Sequence, residues 1–162
     1  MDKSVKHLMS IEVVSVNPEQ TIHDALNEMR KHEIRHLPVV TRRKGKLVGL
    51  LSEGDVLLYL QKNGTALEVD ERVLVGDAMS KEVVYCYPNS KVVNVAATMI
   101  TAKIDSVPII EPSTNKLVGI VTTTDLLDDM CLAFELNGGS VRPLKYNNPN
   151  NRLQKNVRLV GQ

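Results

Sequence analysis

Two stripes of apolar residues at helical spacing are the clearest pattern in the chain. They predict amphipathic helices over residues 21–32 and 91–102, with buried faces made of Ile22, Ala25, Leu26 and Met29 in the first and Val92, Val95, Ala96 and Met99 in the second. Short runs rich in Val, Ile and Leu flank both helices. These runs predict strands at 13–16, 37–40 and 47–51, and again at 83–86, 107–110 and 117–121.

A further helix is predicted to begin near Ser52 in the first half and near Thr122 in the second. Each half then has the order β-α-β-β-α, which places the chain in the mixed α/β (α+β) class. The two halves also match residue by residue at one offset. Met9-Ser10 recurs 70 residues later as Met79-Ser80, and the match needs no gap between 5–58 and 75–128. A single offset indicates a duplication.

The duplication predicts how the halves are arranged. A lone copy of about 55 residues buries too little surface to be comfortably stable. We therefore expect the two copies to pack on each other about a pseudo-twofold axis. The predicted organisation is repeat 1 at 5–61, a linker at 62–74, repeat 2 at 75–131 and a tail at 132–162.

The tail differs from the rest of the chain in charge. Residues 137–162 are rich in Asn and hold five Lys or Arg residues and no carboxylate. The Asn137-Gly138-Gly139 sequence is expected to end a helix, and 157–160 is predicted as one short strand. The tail is expected to be solvated, or to contact a second copy, an anionic partner or the binding clefts of its own chain.

Composition excludes several classes of protein. The chain has 162 residues, of which 43% are apolar, so a folded core is expected. Aromatic residues make up 3% with no Trp, which disfavours a base-stacking nucleic-acid site. No apolar run approaches a membrane span and no signal-like segment follows Met1, so a cytoplasmic protein without a membrane partner is predicted. Cys86 and Cys131 form no Cys-x-x-Cys pair, and Asn63-Gly64-Thr65 is predicted to be a turn.

One segment in each copy carries chemistry: Gly49-Leu50-Leu51-Ser52-Glu53-Gly54-Asp55 and Gly119-Ile120-Val121-Thr122-Thr123-Thr124-Asp125. Ser-x-x-Asp and Thr-x-x-Asp satisfy a helix capping box, with the Gly relaxing a strand turn or bulge. The same geometry also suits a ligand. A helix N-terminus exposes N–H groups for a phosphate, and an Asp one turn in can accept hydrogen bonds from a ribose diol. Both interpretations stay open on the residues alone.

The two copies, each with Met-Ser before the first strand, a Leu-Pro-Val-like second strand and the Gly-x-x-[Ser/Thr]-x-x-Asp segment, resemble a pair of CBS domains, or Bateman module. The resemblance covers residues 5–131. It implies a pseudo-symmetric module whose clefts bind adenosine-containing ligands, commonly AMP, ADP, ATP or S-adenosylmethionine. Such modules often pair into homodimers and regulate partner proteins without catalysing a reaction.

The resemblance also implies roles for particular residues. Asp55 and Asp125 resemble the ribose-binding acids of the family. Ser52 and Thr122 resemble its phosphate- or ribose-contacting hydroxyls. Thr124 adds a hydroxyl in the second copy. Aliphatic residues are expected to lie against the adenine or to be ordinary core residues: Ile34, Leu50, Ile104 and Ile120.

The residues that open the second strand usually face the ligand phosphates in this family. Arg35 and His36 hold that place in the first copy, as phosphate partners or as a solvated loop pair. Asp105 and Ser106 hold it in the second copy, where a carboxylate repels an anion. We therefore expect two clefts that are not equivalent.

The function expected from the sequence is a stand-alone regulatory module for adenine nucleotides with an unidentified effector protein. The alternatives are a ligand-independent scaffold whose motifs only cap helices, and nucleic-acid binding through the basic tail, which is disfavoured. No catalytic residue, cofactor or metal site is predicted. His32 and His36 have a helical metal spacing, but Pro38 places His36 outside the helix.

Overall fold

A computed structural model describes residues 3–63 and 73–142. The chain begins with a 3-10 turn at Val5–His7. The remaining elements, in chain order, are α1 Ile22–His32, β1 His36–Val40, β2 Leu47–Ser52, α2 Glu53–Lys62, α3 Val75–Ala78, α4 Val92–Ala102, β3 Ser106–Ile110, β4 Leu117–Thr122 and α5 Thr123–Leu136. The mixed α/β fold of two repeats is confirmed.

The predicted helices begin and end where the sequence indicates. Thr21 caps α1 by accepting the N–H of Asp24 at 3.1 Å, and the Asp24 carboxylate accepts the N–H of Thr21 at 3.4 Å. Both α1 and α4 end at a residue in the left-handed region, Glu33 at φ 54° and Lys103 at φ 55°. The buried faces of the two helices hold Met29 and its equivalent Met99, so the two stripes lie in the core as predicted.

Each repeat contains one antiparallel pair of strands. β1 pairs with β2, with Leu37 opposite Leu51, and β3 pairs with β4, with Val107 opposite Val121. Both pairs have an irregularity at the equivalent place, between Val39 and Val40 and between Ile109 and Ile110. The registers therefore repeat at the same offset as the sequence.

The first predicted strand of each repeat was wrong in length. Instead of four residues, 13–16 and 83–86 each contribute a single parallel bridge, Val16 to Val39 and Cys86 to Ile109. The Val16 N–H donates to the Pro38 carbonyl at 3.1 Å, and the Val40 N–H donates to the Val16 carbonyl at 2.8 Å. The bond that would precede these two in the ladder needs a donor N–H on residue 38. Pro38 has no backbone N–H, so the ladder stops there. Pro108 stops the ladder in repeat 2 in the same way.

The N-terminal segment of each repeat completes the other repeat. Ser10 pairs with Ile120 of repeat 2 through backbone hydrogen bonds of 2.9 and 3.0 Å, and Ser80 pairs with Leu50 of repeat 1 through bonds of the same two lengths. Val5 lies in the core of repeat 2. Val75 lies in the core of repeat 1. The two repeats are thus interlocked.

Close packing of these exchanged segments explains two glycines. A Cβ atom on Gly49 would lie 2.5 Å from the Met79 sulfur, and one on Gly119 would lie 2.7 Å from the Met9 sulfur. A bulge does lie opposite Gly49, as the sequence suggests, but the space occupied by the methionine is the stronger requirement.

The repeats also meet along the pseudo-twofold axis. The Leu47 N–H donates to the Asn115 carbonyl at 3.2 Å, and the equivalent Leu117 N–H donates to the Gly45 carbonyl at 3.1 Å. These reciprocal bonds bring the beginnings of β2 and β4 side by side.

Part of the predicted organisation lies outside the described residues, namely 64–72 of the linker with most of the Asn63-Gly64-Thr65 turn, and 143–162 of the tail with its short strand. α5 runs to Leu136 and ends at Asn137-Gly138, with Gly138 at φ 85°, which confirms the helix end predicted there. Of the helices in the described ranges, none has the length and apolar character to cross a bilayer.

We predict that Gly49→Ala lowers the free energy of unfolding by about 1–3 kcal/mol, because the new methyl group overlaps the Met79 side chain. Gly54→Ala is the matched control, since its Cβ meets only the Ser52 hydroxyl at 3.6 Å. The control should be neutral or gain up to about 1 kcal/mol. Chemical denaturation of both variants measures the difference, and equal values would contradict the steric role of Met79.

Candidate functional site

Two clefts lie between the repeats, on either side of the pseudo-twofold axis. Cleft A has a volume of about 350 Å³ and cleft B of about 250 Å³. Their walls use equivalent positions, so Ser10 and Thr122 in cleft A correspond to Ser80 and Ser52 in cleft B. Duplication has therefore produced two versions of one cleft.

Each cleft combines the start of a helix in one repeat with the start of a strand in the other. Cleft A joins the start of α5 to the residues around the start of β1 and to the chain at 10–14. Cleft B joins the start of α2 to the residues around the start of β3 and to the chain at 80–84. Each cleft therefore draws its helix start from one repeat and its strand start from the other.

The residues predicted from the sequence all line these clefts. Cleft A contains Ile34, Arg35, His36, Ile120, Thr122, Thr124 and Asp125. Cleft B contains Leu50, Ser52, Asp55, Ile104 and, shared with cleft A, His36. The structure thus places Arg35 beside the hydroxyls of α5 and not beside those of α2.

Both capping boxes form. At the start of α2, Asp55 Oδ2 accepts the Ser52 N–H at 2.8 Å and the Ser52 hydroxyl at 2.6 Å. The Asp55 N–H in turn donates to Ser52 Oγ at 3.0 Å. At the start of α5, Asp125 Oδ2 accepts the Thr122 N–H at 2.6 Å and the Thr122 hydroxyl at 2.8 Å. These residues stabilise their own helices whether or not a ligand is present.

The helix starts leave fewer free N–H groups than the sequence suggests. In α2, the amides of Ser52 and Asp55 serve the capping box, and that of Glu53 donates to the Arg35 carbonyl at 3.3 Å. In α5, the Thr123 amide donates to the Asp105 carbonyl at 3.0 Å. Of the first-turn amides of α2 and α5, those of Gly54 and Thr124 have no partner among the described residues. A phosphate at either helix start would therefore be held mainly by side chains.

The second oxygens of the two acids differ. Asp55 Oδ1 accepts the Ser80 hydroxyl at 3.2 Å, which fixes the carboxylate toward cleft B. Asp125 Oδ1 makes no hydrogen bond to any residue in the described ranges and lies in the wall of cleft A. Each capping box uses one oxygen of its acid, so a ribose hydroxyl can still donate to the other.

An ion-pair cluster lies between the clefts. Arg35 Nη2 lies 3.3 Å from Asp105 Oδ2, and His36 Nε2 lies 3.2 Å from Asp105 Oδ1. Arg35 and Asp105 are equivalent positions of the two repeats, so the duplicated site has acquired opposite charges that face each other. The expected repulsion by Asp105 is therefore reduced by Arg35, its ion-pair partner from the other repeat.

Sequence reasoning missed several residues of the walls. Ser10 and Ser80 belong to the Met-Ser pairs whose recurrence was the signal available. Glu12 and Glu33 line cleft A, and their equivalents Glu82 and Lys103 line cleft B. Ser106, which the sequence already placed with Asp105 at the phosphate-facing position of repeat 2, lines both clefts, is 2% exposed, and its hydroxyl has no hydrogen-bond partner in the described part of the chain.

Metal-ligating side chains and thiols also occur outside the clefts in the described residues. Among the described residues, no group of three His, Cys, Asp or Glu side chains is placed to hold a metal ion. Burial raises the pKa of the Cys86 thiol to about 11, against a smaller opposing effect from a hydrogen bond with Ser90. Cys86 therefore stays protonated at neutral pH and is a poor nucleophile.

Comparison with known proteins identifies the family. The model of the CBS domain matches residues 5–62 and 75–131. The chain belongs to the CBS domain family, with two copies of the domain. The CBS domain-containing protein YhcV of Bacillus subtilis is 32% identical over 145 residues, which cover 90% of this chain and 97% of YhcV.

Solved structures with this fold support the assignment. The CBS domain pair of protein MJ0100, in complex with 5′-methylthioadenosine and S-adenosyl-L-methionine, is 27% identical, with a TM-score of 0.69 over 79% of this chain and 99% of that one. The CBS-domain containing protein ATU1752 from Agrobacterium tumefaciens is also 27% identical, with a TM-score of 0.68 over 79% of this chain and 99% of that one.

Enzymes are matched over a smaller part of their length. Inosine-5′-monophosphate dehydrogenase of Korarchaeum cryptofilum is 33% identical over 129 residues, which are 78% of this chain but 25% of the enzyme. The similarity to such enzymes therefore spans about a quarter of each of them.

We predict that Thr122→Ala lowers the free energy of unfolding by about 1 kcal/mol, because the N-cap hydroxyl of α5 is lost. Thr123→Ala is the matched control, since Thr123 also lines cleft A but takes no part in the capping box. Denaturant titration measures both variants. Equal stability of the two would contradict the capping role of Thr122.

Proposed function

We propose that this chain is a regulatory module that binds adenosine-containing ligands in clefts A and B and passes its ligand state to a partner protein. The observation that carries the proposal is the composition of each cleft. A helix-start hydroxyl and an acid from one repeat face polar residues and an isoleucine from the strand start of the other. A ligand that spans the cleft therefore contacts both repeats at once.

The chemistry of each wall fits a part of such a ligand. Asp125 offers a free carboxylate oxygen to ribose hydroxyls, and Ile120 offers an aliphatic surface to a flat base. Arg35 and His36 offer donors to a phosphate at the other side of cleft A. Asp55, Leu50 and Lys103 play the equivalent parts in cleft B.

The complex of MJ0100 with two adenosine derivatives supports this class of ligand, since that CBS pair is matched over nearly its whole length. AMP, ADP, ATP and S-adenosylmethionine are the ligands we propose to test. A ligand that bridges both repeats favours one relative orientation of them, and an effector protein would respond to that orientation.

We propose that the chain itself catalyses no reaction and acts in the cytoplasm. The clefts offer no activated nucleophile, since the groups that line them are hydroxyls, carboxylates, Arg35, Lys103 and one imidazole already paired with Asp105. A regulatory role uses what these clefts do contain, which is a set of groups for binding.

A ligand-independent scaffold is the second candidate. It is favoured by the complete capping boxes and by apolar side chains that α2 and α5 leave in solvent. Leu57 is 51% exposed and its equivalent Leu127 is 56% exposed. Paired helical faces of this kind suit a homodimer, which we propose for either candidate, and light scattering of the purified chain measures it.

We predict that a ligand of this class raises the melting temperature. At about 100-fold excess over its Kd, it adds about 2.7 kcal/mol to the free energy of unfolding. For a chain of this size the shift is about 5–10 °C. Differential scanning fluorimetry with AMP, ADP, ATP and S-adenosylmethionine provides the measurement. No shift with any of the four would remove the sensor proposal and leave the scaffold.

We predict that Arg35→Ala weakens the binding of AMP and ADP by about tenfold but changes the binding of adenosine by less than twofold, because the guanidinium contacts only the phosphate. Arg42→Ala is the control, since Arg42 is exposed in the β1–β2 turn and lines neither cleft. Calorimetric titration measures the affinities. Equal losses for AMP and adenosine would refute the phosphate role of Arg35.

A further inference from the structure

Three residues belong to both clefts. His36, Asp105 and Ser106 line cleft A and also line cleft B. No other wall residue is shared among those that the structure describes. The two binding sites of the proposed function therefore have one wall in common, and its charged members interact directly.

We propose that Asp105 couples the two clefts, so that a phosphate-bearing ligand in cleft A lowers the affinity of cleft B for a second one. The proposal rests on the proposed function and adds how its two sites affect each other. In this proposal cleft A takes the phosphate first, because the Arg35 guanidinium lines it and not cleft B and can bind a phosphate through two N–H groups, although Glu12, Glu33 and Asp125 line it as well.

The coupling follows from a competition for Arg35. Arg35 Nη2 donates to Asp105 Oδ2 at 3.3 Å, and His36 Nε2 lies 3.2 Å from Asp105 Oδ1. The Arg35 side chain is 72% exposed, so its pair with Asp105 is weak and a phosphate can displace the carboxylate. Once Arg35 turns to a phosphate in cleft A, Asp105 loses the cation that offsets its charge.

The released carboxylate acts on cleft B. Asp55 and Glu82 already line that cleft with Asp105, and Lys103 is the cation there. An Asp105 that is no longer paired adds to this negative field and repels an incoming phosphate. In cleft A, Asp105 faces Arg35, whose guanidinium now binds the phosphate of the ligand. The effect is therefore antagonism between ligands of like charge.

Ser106 is the third residue of the shared wall. It is 2% exposed, and its buried hydroxyl has no hydrogen-bond partner in the described residues. A buried hydroxyl without a partner is costly, so rotation of the side chain toward a ligand atom would be favoured. After such a rotation its one hydroxyl hydrogen serves one cleft at a time, so we expect Ser106 to add to the antagonism.

The experiment compares the intact protein with variants that keep one working cleft. Thr124→Glu places a carboxylate in the anion-binding part of cleft A, and Gly54→Glu does the same at the equivalent position of repeat 1 for cleft B. Both sites are in the first turn of a helix, where an acid is tolerated. Calorimetric titration with AMP gives two dissociation constants for the intact protein and one for each variant.

Without coupling, the product of the two constants of the intact protein equals the product of the two single-cleft constants. With the proposed antagonism the first product is larger than the second by about fivefold.

Asp105→Asn should bring the ratio of the two products to within about twofold of one. Asp128→Asn is the matched control, since it removes the same charge from an exposed position on α5 outside both clefts and should keep the ratio near five. Ser106→Ala should weaken AMP in both single-cleft variants.

Every other result contradicts a specific part of the proposal. A ratio of one in the intact protein removes the antagonism but leaves the proposed function, because AMP still binds. A fivefold ratio that persists in Asp105→Asn removes the role of Asp105. Binding of S-adenosylmethionine without binding of AMP refutes the phosphate competition alone. If neither ligand binds any form of the protein, the proposed function fails and the coupling fails with it.

Discussion

The hydrogen bonds that join Ser10 to Ile120 and Ser80 to Leu50 position almost everything else in the molecule. They hold each N-terminal segment on the sheet of the opposite repeat and bring a methionine onto the glycine of that sheet. The clefts exist because of this exchange, since their walls begin with the same two serines. Fold stability and site geometry therefore depend on one set of contacts.

The helices and the internal symmetry could be predicted because they are local properties of the sequence. Helical spacing predicted the stripes that contain Met29 and Met99, and capping residues predicted where α2 and α5 begin. A constant offset predicted the duplication. These signals need no knowledge of which parts of the chain meet in space.

The partners across the repeats could not be predicted, because periodicity reveals which face of an element is buried and not what covers it. From the sequence alone, Val5 and Val75 fit the core of their own repeat as well as the core of the other repeat, where they actually lie. For the same reason the sequence assigns Arg35 to the first copy but not to a particular cleft, and the structure places it in the cleft with Thr122. The first strand of each repeat is predicted too long from the sequence. The N–H that Pro38 lacks limits this strand only because the strand pairs in parallel with β1, and the sequence does not reveal that pairing.

The capping and ligand interpretations of the Gly-x-x-[Ser/Thr]-x-x-Asp segments are compatible, because one set of atoms suits both. One oxygen of Asp125 serves the helix and the other lies in cleft A without a partner in the described residues. Mutations of these acids therefore change stability as well as any binding, and the two effects must be separated by measuring both.

The exchange of segments has a consequence for dissecting the protein. A fragment cut at the sequence repeat, such as 5–61, carries the segment around Ser10 that pairs with the sheet of repeat 2. It lacks the segment around Ser80 that pairs with its own sheet. The self-contained unit instead runs from about Ile11 to Ser80, which includes α3 and the methionine that covers Gly49. Excision of half of this molecule should therefore follow the three-dimensional pairing and ignore the boundaries that the alignment of the repeats suggests.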